Sequence, residues 1–200
     1  LAIAALPCIA QLWLSPRLGR LQQAFPGLQI SVSAMEEPPD PRRDSHDLSL
    51  FYRDAAAEPS ALRIGPDAIL PVCVPPLAER LVSPADLAGQ TLLHDAVWRG
   101  DWARWLAIAA PGSRVDPARG PAFSLYSLAL DAALSGAGVL MGRMSLIAPH
   151  LAAGRLAAPF RQAVATADSL TLTPATHLGA HARRIEVMEW LVASAEAAQI

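Results

Sequence analysis

The sequence contains no lysine and no asparagine, only two cysteines, 6% aromatic residues and 17% charged ones. Each shortage removes a class of chemistry. Without lysine there is neither a Schiff-base nucleophile nor a P-loop lysine. Cys8 and Cys73 are too few and too far apart for a disulfide framework or a zinc knuckle, which points to a reducing compartment, the cytoplasm. No G-x-S-x-G elbow occurs, and Gly136-Ala137-Gly138 lacks the third glycine of a dinucleotide fingerprint. No nucleophile, base and orienting group emerge together, so the chain does not read as an enzyme, and no cofactor is implied. His177 and His181 stand four apart, but no third ligand accompanies them and Gly179 weakens a local helix, so no metal site is expected. The apolar opening LAIAALPCIAQLWL is broken by Pro7 well short of a membrane span, and no basic segment precedes it.

What remains is a chain built to pack. Over 200 residues, 52% are hydrophobic, enough to exclude disorder as the main state and to fill one sizeable domain or two small lobes. The formal net charge is -2 with a pI near 6.2, so there is no electrostatic footprint for nucleic acid and the chain alone is not expected to hold DNA. All the basic residues are arginines, whose planar fork suits bidentate capture of carboxylate or phosphate. The chain opens on Leu1 rather than Met and is expected to be a piece of a longer protein.

Periodicity predicts alternating strands and helices. Leu1–Leu6 reads as a strand stopped by Pro7, followed by an amphipathic helix through Ile9, Leu12, Trp13, Leu18, Leu21 and Phe25 with an irregularity at Pro16. Leu28, Ile30 and Val32 alternate as a half-buried strand would, residues 36–47 read as a loop, and Leu48, Leu50 and Tyr52 as a further strand before an irregular stretch, 55–60. Ile69–Val74 is a strand interrupted by Pro71, which argues for an edge or crossover position. Ser83–Leu93 gives a capped turn and a short strand, and 98–110 a helix carrying Trp98, Trp102 and Trp105 on one side, read as packing. From Gly120 to Phe160 the signals follow without a gap. They are a helix through Leu125–Ala133 ended by Gly136, a doubly buried strand at Val139–Met141, and a helix capped by Ser145 and ended by Pro149 and Gly154. Leu170–Thr173 is a strand and 181–198 a final helix. The fold class is α/β.

Two features point to ligand binding. Cys8 follows Pro7 at a strand-to-helix turn, where N–H groups and the positive helix end can receive an anion, an ordinary structural turn being the equal alternative. Arg53 and Arg143 each end a strand, where doubly wound sheets bind ligands, although for either arginine alone a solvated salt bridge is the commoner role.

Several phrases in order carry a resemblance. LPCIAQLWLSPRLGRLQQAFPGLQISV, then ILPVCVPPLAERLVSPADLAGQTLLHD, then GPAF, LALDAALSGAGVLMG and LAAGRLAAPF resemble the effector-binding domain of LysR-type transcriptional regulators. TLLHDAVWRGDWARWL leans toward the branch of the glycine-cleavage activator and the β-lactamase regulator AmpR. The resemblance implies a periplasmic-binding-protein-like fold of two α/β lobes with two crossover strands, near Ile69–Val74 and Ala163–Leu170. Residues 1–70 and 170–200 would form lobe I, and 71–169 lobe II. It also implies a small-molecule effector between the lobes, anionic in class, against Pro7, Cys8, Ile9, Ala34, Tyr52, Arg53 and Val74, with Phe123, Ser124 and Tyr126 opposite and Arg143 at its strand end. A homodimer or tetramer would pair the helix near Leu12–Leu21 with that near Leu125–Leu134, and a winged helix-turn-helix outside this chain would hold DNA. Cys8 stands where a Ser or Thr is common, and Phe51-Tyr52-Arg53-Asp54 replaces a glycine-containing phrase. The competing expectation is an exported solute-binding protein of a transport system, with the same fold.

Overall fold

The computed structural model describes residues 1–53 and 60–196. The loop expected over 55–60 falls, except for Ser60, outside them. Ala2–Ala5 form β1. Pro7 then opens a helix, because its fixed φ suits the first turn and its missing N–H is not needed there. Helix α1 (Pro7–Ile9) passes through a π-helical segment, Ala10–Leu14, into α2 (Ser15–Ala24). The irregularity expected at Pro16 therefore lies in the preceding turn. Pro16 has no N–H for the carbonyl four residues back, and the widened turn before it closes with the Ser15 N–H donating to the Ala10 carbonyl. The next strand, β2 (Ser31–Ala34), is shorter and more exposed than the alternation of Leu28, Ile30 and Val32 implies. It is an outer strand paired, among the described residues, with β1 alone, and Val32 is 38% exposed. No helix forms in 36–47. Strand β3 (Leu48–Arg53) buries its first four residues, and β4 (Leu62–Arg63) follows.

Strand β5 (Ala68–Val72) contains Pro71 and lies next to the edge of its sheet. The Cys73 N–H and carbonyl bond outward to Ala157, so by the alternation of a strand the N–H that Pro71 lacks falls on that same outer side and not toward the inner neighbour. After α3 (Pro75–Ala78), the Asp86 carboxylate accepts the N–H groups of Val82 and Ser83 at 2.9 and 2.7 Å and caps a short 3-10 helix, Pro84–Gly89. Then come β6 (Leu92–Asp95), α4 (Asp101–Ala109), β7 (Ala122–Phe123), α5 (Tyr126–Leu134) and the fully buried β8 (Val139–Arg143). Gly136 takes φ +78°, ending α5 as expected. Two expectations fail in α6 (Met144–Ala152): Arg143, not Ser145, occupies the N-cap position, without a side-chain cap, and Pro149 lies inside the helix. It ends instead at Gly154, φ +65°. The chain closes with β9 (Val164–Ala165), β10 (Ser169–Pro174) and α7 (Arg184–Glu196).

Two compact units result, residues 1–67 with 167–200, and 68–166. Their sheets repeat one plan: order β2-β1-β3-β10-β4 in the first and β7-β6-β8-β5-β9 in the second. In each, three parallel strands are joined by an antiparallel one, β10 or β5, which is the first strand after the chain enters that unit. Every partner of β5 is in the second unit and every partner of β10 in the first. The chain therefore changes unit at 67/68 and 166/167, against expected boundaries of 70/71 and 169/170. The second unit packs Trp102 and Trp105 against Leu87, Leu92, Met141 and Phe160. There Gly120 and Gly138 bring backbone so near β6 that a Cβ on either would strike the carbonyl of Leu92 or Thr91.

Candidate functional site

Parallel strands end at a common edge, and in both units the polar groups gather there. In the first unit β1, β2 and β3 end at Ala5, Ala34 and Arg53. At that edge β1 turns into the helix begun by Pro7, whose first turn points its N–H groups outward along the axis. The expected residues are not equivalent. Ala34 is exposed, and Pro7, Tyr52 and Arg53 are half-buried, whereas Cys8 and Ile9 are buried and back the turn from within. Ser169 pairs with Arg53 across the antiparallel β10, and its buried Oγ has no hydrogen-bond partner among the described residues. The sequence reading missed it.

In the second unit β6, β7 and β8 end at Asp95, Phe123 and Arg143. Ser124 is exposed beyond Phe123, and Tyr126 is buried at the start of α5. Val74, expected to face these residues across the effector, is not at this edge. Strand β5 runs antiparallel to β8, so its end at Val72 pairs with Leu140 near the start of β8, and Val74 lies at the opposite edge of the sheet.

Arg143 is only 2% exposed. Its Nε and Nη2 donate to Asp101 Oδ2 at 3.2 and 3.1 Å, and its guanidinium lies 4.0 Å over the Trp98 ring. The Arg143 backbone N–H donates to the Tyr126 hydroxyl at 3.1 Å, and Tyr126 meets Trp98 edge-on at 5.6 Å. Trp98 is not part of α4, contrary to the helical spacing of the three tryptophans. Asp95 Oδ1 accepts the N–H groups of Val97 and Trp98 at 2.9 and 2.8 Å, and this side-chain turn holds the indole at the strand ends while Trp102 and Trp105 enter the core. Asp95, Trp98, Asp101 and Tyr126 line a pocket with Leu93 and Met141, its capacity about one water molecule. Burial pushes the Asp95 carboxyl above its ordinary range, against the opposing pull of the two N–H groups and Arg143. Of these residues the sequence reading had singled out only Tyr126 and Arg143 for a site.

Residues 1–195 match the LysR substrate binding domain. The chain belongs to that family. The LysR domain is 32% identical over its whole length to the glycine cleavage system transcriptional activator of Escherichia coli strain K12, and 32% identical over 76% of its length to the transcriptional activator AmpR of Rhodobacter capsulatus. It spans 66% of the first relative and 52% of the second. Among solved structures, the effector domain of Pseudomonas aeruginosa AmpR superposes with a TM-score of 0.81 at 26% identity, covering 98% of this chain and 95% of that one. The two-lobed α/β expectation is thereby met. These relatives are named as transcriptional activators and a transcriptional regulator, which supports the effector-binding reading over the solute-transport alternative. Among the described residues no helix is long and apolar enough to cross a membrane.

Proposed function

We propose that this domain senses a small molecule for a transcriptional regulator, the bound form differing from the free form in how the whole protein acts on transcription. The observation that carries the reading is the family match through residues 1–195, with relatives named as transcriptional activators. Effector contact is proposed at the carboxyl edges of the parallel strands. Tyr52, Arg53, Ser169 and the helix start at Pro7 serve in the first unit, and Phe123, Ser124 and Tyr126 in the second. An acidic group of the effector is assigned to Arg53 and the helix start, with Cys8 and Ile9 behind them. Arg143 is committed to Asp101 and Trp98 and acts there as a support for the site. A net charge of -2 favours DNA contact by another part of the protein, in the cytoplasm. Self-association is proposed through the face bearing Leu12 and Leu18 of one copy and Leu128 of another. Leu21 is fully buried in its own unit and takes no part.

A thermal-shift screen of cytoplasmic metabolites against the chain tests the reading. A binder is expected to raise the melting temperature and to change reporter transcription by the full-length regulator. Arg53→Ala is expected to weaken that binder about ten- to a hundred-fold, the effect of removing a charged hydrogen-bond partner. A full-length regulator whose reporter output responds to no metabolite of the screen refutes it.

A further inference from the structure

We propose that Asp95 receives a primary ammonium group of the effector, so that the sensed molecule is an amine. This rests on the reading of the chain as an effector-binding domain and adds the chemical class of its ligand. Asp95 ends β6 and is 6% exposed. Its two carboxylate oxygens differ. Oδ1 is occupied by the N–H groups of Val97 and Trp98, whereas Oδ2 is buried and has no hydrogen-bond partner among the described residues. A buried carboxylate oxygen without a donor is costly, by far more than an exposed one, and such an atom at a pocket wall marks where a donor is to arrive.

The wall does not supply that donor. Asp101 holds the Arg143 guanidinium, the Tyr126 hydroxyl accepts the Arg143 N–H, the Trp102 indole N–H donates to the Leu93 carbonyl, and His94 Nε2 lies 3.1 Å from the Arg119 carbonyl. Arg143 bonds Asp101 and pulls on the Asp95 charge as well; two carboxylates against that guanidinium leave negative charge in excess, so the pocket attracts a cation and repels a carboxylate. Size narrows the class. Room for about one water accepts a primary ammonium and excludes a guanidinium or a quaternary amine. The ammonium brings three donors, and the aromatic lining of Trp98, Trp102 and Tyr126 tolerates a cation better than an aliphatic wall.

The probe is methylammonium chloride, with methanol as a neutral molecule of similar size and sodium chloride as the ionic control. Each is titrated into the full chain with carbon-13 in its aspartate carboxyls. Methylammonium is expected to shift the Asp95 carboxyl and the Trp98 indole N–H saturably, and methanol and sodium chloride to leave them in place. Asp95→Asn keeps an oxygen for the turn and is expected to weaken methylammonium about tenfold or more. If that variant does not fold, the comparison of probes on the unaltered chain decides alone. No saturable shift up to molar concentration, or an equal response to methanol, means that Asp95 takes only water and overturns the proposal. A metabolite binder whose N-acetyl derivative binds equally well also overturns it, while leaving the effector-binding reading intact.

Discussion

Asp101→Ala separates a buried ion pair from its surroundings. The substitution removes the carboxylate that accepts both Nε and Nη2 of Arg143, a guanidinium too buried, at 2% exposure, to recover water. Breaking one side of such a pair typically costs about 3–5 kcal/mol, because the surviving charge stays buried. Two local terms bear on the figure. The Trp98 face beneath the guanidinium keeps a cation–π attraction of about 2 kcal/mol when desolvated, whereas losing an acid from the first turn of α4 costs a further 0.3–1 kcal/mol or so. The lower end, about 3 kcal/mol, is expected. For a chain of this size that lowers the melting temperature by roughly 6–12 °C. Tryptophan fluorescence during urea and thermal unfolding reads it. The double variant Asp101→Leu with Arg143→Met removes both charges and is expected to recover most of the loss. A single-variant cost below about 1 kcal/mol, or a double variant no better than the single, would refute the buried-pair reasoning.

Gly138→Ala forces a Cβ against the Thr91 carbonyl that accepts the Val139 N–H, and a loss of about 2–3 kcal/mol in denaturant unfolding is expected, the range of overpacking. Carboxyl NMR titration should separate two aspartates in opposite directions. Burial raises Asp95, whereas at Asp47 burial is outweighed by the N–H groups of Ala2 and His181, which hold its carboxyl below the ordinary range. The stabilisation from Asp47 is complete above its unfolded value near 3.9 or so and fades as pH falls through the lower folded one, so Asp47→Asn flattens the acid limb of stability. Leu128, 47% exposed on α5, should report self-association: Leu128→Glu is expected to give a monomer in sedimentation at concentrations where the unaltered chain associates.

Local signals survived well where one segment decides its own fate. Gly136 ends α5 and the apolar run after it becomes a buried strand because both depend on adjacent residues. The helix start at Pro7 and the outward-facing position of Pro71 in β5, one strand in from the edge, follow from what proline cannot donate. The site was less legible because its parts meet across the chain. Asp101 and Arg143 are 42 positions apart, and nothing in either segment announces the pair. Trp98 fits the helical spacing of Trp102 and Trp105, yet the Asp95 side chain traps it in a turn that periodicity cannot register. Val74 was misplaced for want of strand direction, which an apolar run does not reveal. Edge strand β2 was overestimated because alternation speaks of one buried face, and burial depends on what covers it.

The discontinuous first sheet sets an order of assembly. Strand β3, with Leu48, Leu50 and Phe51, lies beside β10, whose residues arrive on a ribosome roughly 120 positions later, about 6–24 s at ordinary elongation rates. Until then the nascent chain carries β3 with one side of its ladder empty, an apolar template for another chain to extend. The second unit is continuous from 68 to 166 and has all its strands before β10 appears. It thus forms as a closed insertion whose ends are already drawn together, shortening the effective loop that β3 and β10 must close. A slow-translating stretch inside the second unit would prolong the exposure of β3 without altering a single native contact.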